Sequence, residues 1–163
     1  MTAATAAATQ RAWAAAGAVA DPELRVVTIA DLGILRHVAV DADGVTVTIT
    51  PTYTGCPAMD AIRADIRRAL AAAGYPRARV ETVLDPAWST DDMTAAARDK
   101  LAAAGVAPPA ARGAGPVPLT LAARCPRCGS PDTEVLSRFG STACKALHRC
   151  RACAEPFDHF KPL

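Results

Sequence analysis

Residues 34–74 read ILRHVAVDADGVTVTITPTYTGCPAMDAIRADIRRALAAAG, and the two halves of the stretch obey different periods. In the first half, Leu35, Val38 and Val40 precede a turn at Asp41 to Gly44, and Val45, Val47 and Ile49 follow it. Alternation at period two on both sides of an Asp-Gly turn predicts a β-hairpin. In the second half, Met59, Ile62, Ile66, Ala69, Leu70 and Ala73 recur at helical spacing, while Asp60, Arg63, Asp65, Arg67 and Arg68 take the other side. That pattern predicts an amphipathic helix from Pro57 to about Ala73, ended by Gly74.

Working outward, the alanine-rich stretch from about Thr9 to Ala20 reads as a helix with Trp13 as its one large apolar anchor. It ends at Asp21-Pro22, because proline disfavours helical geometry in the residue before it. LRVVTIADLGIL, residues 24–35, holds an apolar run, a helical turn capped by Thr28, and Gly33 as a stop. Towards the C-terminus, ARVETVL from residue 78 predicts a third strand. Asp91 to about Ala104 predicts another helix, capped by Ser89, Thr90 or Asp91. VAPPAARGAGPVP, residues 106–118, has four prolines and two glycines and reads as a semi-extended linker. The expected architecture is α/β (α+β), a small mixed sheet with helices over residues 1–105. A linker at 106–118 and a small β module over 119–163 follow.

At 163 residues the chain can hold one core of about 100 residues plus a module too small to fold on apolar burial alone. The formal net charge is +2 with no run of five basic residues, so composition gives no strong case for nucleic acid. The opening MTAATAAATQRAWAAAGAVADPEL lacks a basic start, and Gln10 and Arg11 interrupt its apolar run, so it reads as retained and not as a signal peptide. No apolar stretch approaches the roughly 20 residues that span a bilayer. A cytoplasmic location is expected, where clustered cysteines more often bind metal than pair as disulfides.

Cys125 and Cys128 form one C-x-x-C pair and Cys150 and Cys153 a second, with 21 residues between them. Two intervening residues let a tight turn aim both sulfurs at one ion, and two such turns complete a tetrahedral, closed, zinc-ribbon-like site. A redox role would require one pair at a helix start beside a parallel sheet, which two pairs in so short a module argue against. Structural zinc is the favoured ion. Iron or an iron-sulfur cluster is the alternative, and spacing does not separate them. Gly129 follows the first pair, where positive φ is often wanted; Ala154 follows the second, at a cost of about 1 kcal/mol if left-handed.

Cys144 is the odd thiol, read either as a buried small hydrophobe or as an extra, reactive or alternate ligand. His148 and His159 read as surface or supporting residues, since four cysteines suffice. The apolar material of the module is Leu119, Leu121, Val135, Leu136, Phe139, Leu147, Phe157 and Phe160. Its basic residues Arg124, Arg127, Arg138, Lys145, Arg149 and Arg151 suit a solvated face or, in a rival reading, a nucleic-acid surface.

Cys56 stands directly before Pro57, which fits the first helical position, so Cys56 is expected at the helix N-cap. There the dipole and free N–H groups favour thiolate, with Asp60 partly opposing. The chemistry leaves a reactive or metal-accepting thiol level with a buried structural one.

DPEL at Asp21 to Leu24, IADLGIL at Ile29 to Leu35 and TYTGCPAMD at Thr52 to Asp60 occur in the order of a known family. They resemble the small α/β domain of the SUF-system T proteins and the eukaryotic cytosolic iron-sulfur targeting factors, over about residues 10 to 105. The resemblance implies that Asp21, Glu23, Asp31, Thr54 and Cys56 line a small pocket, with the cysteine contacting iron or a cluster. FGSTACKALHRCRACAEPFDHFK, residues 139–161, resembles the C-terminal signature of the D components of bacterial phenylacetyl-CoA epoxidase systems. These join the same α/β domain to a four-cysteine module and imply a role in aerobic phenylacetate degradation.

No Glu-x-x-His pair occurs for a di-iron oxygenase, and no glycine-rich fingerprint for a flavin or nicotinamide. The expected function is therefore a non-enzymatic accessory or maturation factor for iron or iron-sulfur centres of the oxygenase and reductase components. A structural subunit or an electron-carrying component of the same complex is the alternative. The expected partners are those components, with neither membrane nor nucleic acid.

Overall fold

The structure, a computed structural model, describes residues 3–110 and 123–162. The chain forms two compact units that divide between Trp88 and Ser89.

The first unit holds α1 (Ala3–Gly17), β1 (Leu35–Val40), β2 (Val45–Ile49), α2 (Ala58–Ala72) and β3 (Ala78–Thr82). The sheet order is β1-β2-β3. β1 and β2 form the expected antiparallel hairpin, with Val40 opposite Val45 and Val38 opposite Val47. β3 joins β2 in parallel, which the crossover through α2 makes possible, so the sheet is mixed. Val45, Val47 and Ile49 are buried at alternate positions, and Met59, Ile62, Ile66 and Leu70 form the buried stripe of α2. Gly44 is required at the turn, since a Cβ there would lie 2.2 Å from the Arg77 carbonyl oxygen.

α1 starts at Ala3, six residues before the expected Thr9, in keeping with the helix propensity of alanine. Trp13 is not its anchor: the indole is on the exposed side, and Ala12 and Ala16 are fully buried instead. An alanine stripe lets the helix backbone approach its neighbours closely, and a Cβ on Gly17 would already sit 3.2 Å from the Ala30 side chain. The turn at Thr28 forms as expected: the Asp31 amide donates to Thr28 Oγ1 at 3.1 Å and the Thr28 amide to Asp31 Oδ2 at 3.0 Å. Trp88, which the sequence pattern does not mark, is buried and donates its indole N–H to the Leu32 carbonyl at 2.7 Å.

The second unit holds a 3₁₀ turn (Thr90–Asp92), α3 (Ala95–Ala103), β4 (Val106–Ala107), β5 (Thr133–Ser137), β6 (Lys145–Cys150) and β7 (Pro156–Phe160). Its sheet order is β4-β7-β6-β5. Two differences from expectation follow from local bonding. The helix expected from Asp91 is split, because Ser89 and Asp92 form a capping box over the 3₁₀ turn and Thr94 then caps α3 through the Ala97 amide. The domain boundary expected at residue 105 also falls inside this unit. Val106 and Ala107, expected to begin the linker, pair in parallel with Asp158 and His159, and Arg98 holds the Pro109 carbonyl at 2.6 Å. Residues 111–118 of that linker lie outside the described residues, as do Leu119 and Leu121.

The core of this unit gathers Ala107, Ala123, Cys125, Cys150 and Phe157. Phe160 is buried as expected, but Val135, Leu136 and Phe139, expected inside, are exposed. All three lie on or just beyond β5, an outer strand of the sheet. No helix among the described residues is long and apolar enough to cross a membrane.

Candidate functional site

Cys125 and Cys128 lie on the turn that precedes β5, and Cys150 and Cys153 on the turn between β6 and β7. The sheet thereby brings two loops that are distant in sequence to one end. Cys125 Sγ is 3.7 Å from Cys153 Sγ, Cys128 Sγ is 3.5 Å from Cys150 Sγ, and all four sulfurs lie within 4.8 Å of one another. Four sulfurs about 2.3 Å from a tetrahedral ion stand about 3.8 Å apart, so the spacing fits a single ion. A polynuclear cluster spreads its thiolates over several irons and needs a wider cage. The four cysteines form a metal-binding site.

The two turns are built alike. Gly129 (φ 74°) and Ala154 (φ 61°) follow the second cysteine of each pair in left-handed geometry. The Cys125 amide donates to the Ser130 carbonyl at 3.0 Å and the Cys150 amide to the Glu155 carbonyl at 2.9 Å. Backbone amides also reach the sulfurs: Ser130 to Cys128, Cys153 and Ala152 to Cys150, and Glu155 to Cys153. Sulfurs so close compete for protons. Cys150 is drawn down to about 7, chiefly by the Cys153 amide. Cys128, despite the Ser130 amide, is pushed up to about 12 by its hydrogen bond with Cys150 and by burial. A cation ends that competition by favouring the ionised form of all four.

Cys144 is buried with Thr142 Oγ1 3.0 Å from its sulfur, and it lies outside the group of four. His148 is not a surface residue: it is buried beside Phe157, with ring centroids 5.6 Å apart, and His159 meets it edge-on at 5.0 Å. Burial and the neighbouring His148 hold His159 down to about 4. The basic surface is largely neutralised by its own carboxylates. Arg127 pairs with Glu155, Lys145 with Asp158, and Arg149 and Arg151 with Glu134, whose carboxyl they hold below the usual range.

In the first unit, Pro57 (φ −68°, ψ −21°) takes the N-cap of α2 and Cys56 lies one residue before it, a correction to the expected N-cap cysteine. The expected thiolate is also reversed. Burial pushes the Cys56 thiol up from its ordinary value, hydrogen bonds with the Ala58 amide and the Tyr53 side chain pull against it, and the charges of Glu23 and Asp21 add to the rise. The helix end is outweighed by partial burial and by carboxylates more than 30 positions away in sequence. Tyr53 stands within the recognised motif, but nothing in its spacing reveals that it touches the sulfur.

The fold thus brings Asp21 and Glu23 within electrostatic reach of Cys56. Asp21 is buried and its Oδ1 accepts the Glu23 amide at 2.9 Å and the Leu24 amide at 2.7 Å, so its carboxylate shapes its own loop. Asp31 is tied into the Thr28 turn. Thr54 is exposed on the Cys56 loop, which Gly55 (φ 83°) turns.

Two family models match the chain. One described as "Iron-sulfur cluster assembly protein" covers residues 9–85, ending close to the division at Trp88, and one described as "PaaD zinc beta ribbon domain" covers residues 114–161. The chain is 47% identical over 149 residues to the D component of the "Putative 1,2-phenylacetyl-CoA epoxidase" of Escherichia coli (strain K12), spanning 91% of this chain and 90% of that protein. It is 40% identical over 78 residues to the "Fe-S protein maturation auxiliary factor" of Porphyromonas gingivalis, spanning 47% of this chain and 73% of that one. Among solved structures, a domain of unknown function, DUF59, from Bacillus anthracis matches with a TM-score of 0.56 and 31% identity, over 60% of this chain and 94% of that one.

Proposed function

The chain belongs to the family of phenylacetyl-CoA epoxidase D components, and from that premise we propose that it is a non-catalytic accessory factor of the epoxidase system in aerobic phenylacetate degradation. Its task is to assist assembly of iron or iron-sulfur centres in the oxygenase or reductase components. The observation that carries this reading is the pairing, in one chain, of a domain matching an iron-sulfur cluster assembly family with a closed four-cysteine site.

The two sites take different metals in different ways. The tail holds zinc as a structural ion, because four protein sulfurs leave no position for water or substrate. Cys56 contacts iron or a cluster as cargo. Its raised pKa keeps the thiol protonated near neutral pH, so it ligates only when an incoming cation displaces the proton, and the half-buried Glu23 supplies a nearby negative charge. Thr54 borders the approach, while Asp21 and Asp31 fix the loops that present these groups.

That the Escherichia coli relative is named as a part of the epoxidase itself favours a second reading, a resident structural or electron-carrying component. Persistence separates the two. Oxygenase and reductase produced together with this chain, then freed of it, should turn over phenylacetyl-CoA, while components produced without it should be iron-deficient and inactive. If fully metallated components stay inactive until the chain is restored in stoichiometric amount, the maturation reading fails and the resident-component reading replaces it.

A further inference from the structure

β5 is hydrogen-bonded to β6 on one side and is an outer strand of its sheet. Val135 and Leu136 are 54% and 49% exposed at a register shift between Val135 and Ser137, and Phe139 just beyond the strand is 72% exposed. An outer strand that exposes apolar side chains is a template for another chain, and the irregularity in β5 restricts regular pairing to the residues before it. On the Val135 face lies an open cleft of about 310 Å³ with Val135, Phe139 and Ala146 as its apolar wall.

The charged groups of this cleft are of one sign, beside the rings of His148 and His159. Arg138 and Lys161 line it, no carboxylate does, and neither cation is paired with a carboxylate among the described residues, in contrast to Arg127, Lys145, Arg149 and Arg151. The Lys161 ammonium lies 5.1 Å from the centre of the Phe139 ring, so cation and aromatic surface are presented together. His148 also lines the cleft; it is 3% exposed, and its Nδ1 is buried with no hydrogen-bond partner among the described residues. A buried polar atom left unpaired is costly unless something completes it.

We propose that the β5 edge and this cleft dock an extended segment of another protein that is both acidic and apolar. Its backbone continues the sheet at β5, an apolar side chain lies against Val135 and Phe139, and a carboxylate meets Arg138 and Lys161. A polar group of the same segment completes His148 Nδ1. A second copy of this chain fits poorly, because the one carboxylate of its β5, Glu134, is already held by Arg149 and Arg151 and is not free to meet these cations.

The test is amide NMR of the full, metal-loaded chain titrated with an eight-residue synthetic peptide alternating glutamate with valine and phenylalanine. Saturable shifts are expected at Val135, Phe139, Ala146 and His148, weakening as salt is raised. Phe139→Ser and Arg138→Glu alter exposed side chains, so they should leave metal content and melting unchanged while weakening binding at least ten-fold. The proposal is overturned by equal binding of the lysine-for-glutamate twin, by an equal response to benzoate alone, by dimerisation through the same residues, or by no response at all.

Discussion

The sulfurs of Cys125, Cys128, Cys150 and Cys153 lie within 4.8 Å of one another, with backbone amides at three of them, whereas Cys56 stands on a turn, bonded with Tyr53 and within electrostatic reach of two carboxylates. Both places bear thiols near left-handed turns, and Cys56 and Cys128 are both pushed up; what differs is the number of sulfurs that a cation would meet. In the tail, each neighbouring sulfur becomes a further reason to bind a cation. At Cys56, burial first and the charges of Glu23 and Asp21 after it favour the protonated form of a single thiol. On the function proposed above, the first arrangement holds an ion for the life of the fold, and the second accepts an ion or cluster that must leave.

The sharpest way to break that contrast is to remove the tail metal. The second unit has a small core in which Cys125 and Cys150 themselves are members, so metal binding should supply its folding energy, a contribution on the order of 10 kcal/mol for such sites. Strong chelation or Cys128→Ser should therefore unfold β5 to β7 while the amide signals of β1 to β3 persist. A chelated chain that keeps an ordered β5 to β7 by NMR would show that the site is not the keystone of its unit.

Cys56→Ala should do the reverse. Pro57, not Cys56, is the N-cap of α2, and the variant loses only the weak bonds of the sulfur with the Ala58 amide and the Tyr53 side chain, so unfolding free energy should change by about 1 kcal/mol or less. Tail metal content should stay the same while growth on phenylacetate fails and the iron content of the client falls. A melting temperature lowered by more than about 10 °C would instead make Cys56 a packing residue.

A smaller effect probes the charges around that thiol. Because Glu23 and Asp21 help to raise the Cys56 pKa, Glu23→Gln should lower it and so increase the thiolate fraction at pH 8. Alkylation of Cys56 by iodoacetamide should then be several-fold faster at pH 8, with the two proteins converging above the raised pKa. Identical rates at pH 8 would mean that Glu23 is screened from the sulfur and takes no part in the site.

What the sequence discloses and what it hides divide along the same physical line. The hairpin, α2 and the tail cysteines depend on local periodicity and short spacing, and Val38, Val47, Ile62 and Ile66 occupy the expected buried positions. Hidden features depend on distant partners. β4 reads as linker because its two residues gain meaning only by pairing with β7, some 50 residues on. Trp13 reads as an anchor because size suggests burial, but the close approach of α1 selects alanine. The Cys56 shift runs against the expected sign because the helix end is visible in sequence, whereas burial and the carboxylates of another loop are not. Phe139 reads as core because an aromatic residue in a short module suggests an interior position, while the strand order leaves it at an open edge.

The least of the expected effects concerns acid, and it sharpens the comparison by separating fold from ligand within the tail. In the folded chain burial, with a smaller push from His148, holds His159 at about 4, whereas an unfolded histidine titrates near 6.5. Between those values the unfolded state binds more protons, so this contribution to stability is complete above about pH 6.5 and is lost as pH falls towards 4. Acid also protonates thiolates and loosens the metal, so the informative quantity is a difference between two metal-loaded proteins. His159→Gln removes the titration and leaves the four cysteines in place. The gap between the unfolding free energies of the second unit in wild type and variant should therefore shift, in favour of the variant, as pH is lowered from 7 to 5. If that gap is independent of pH, His159 is as accessible to protons in the fold as in the unfolded chain, and acid acts on this unit through its sulfurs alone.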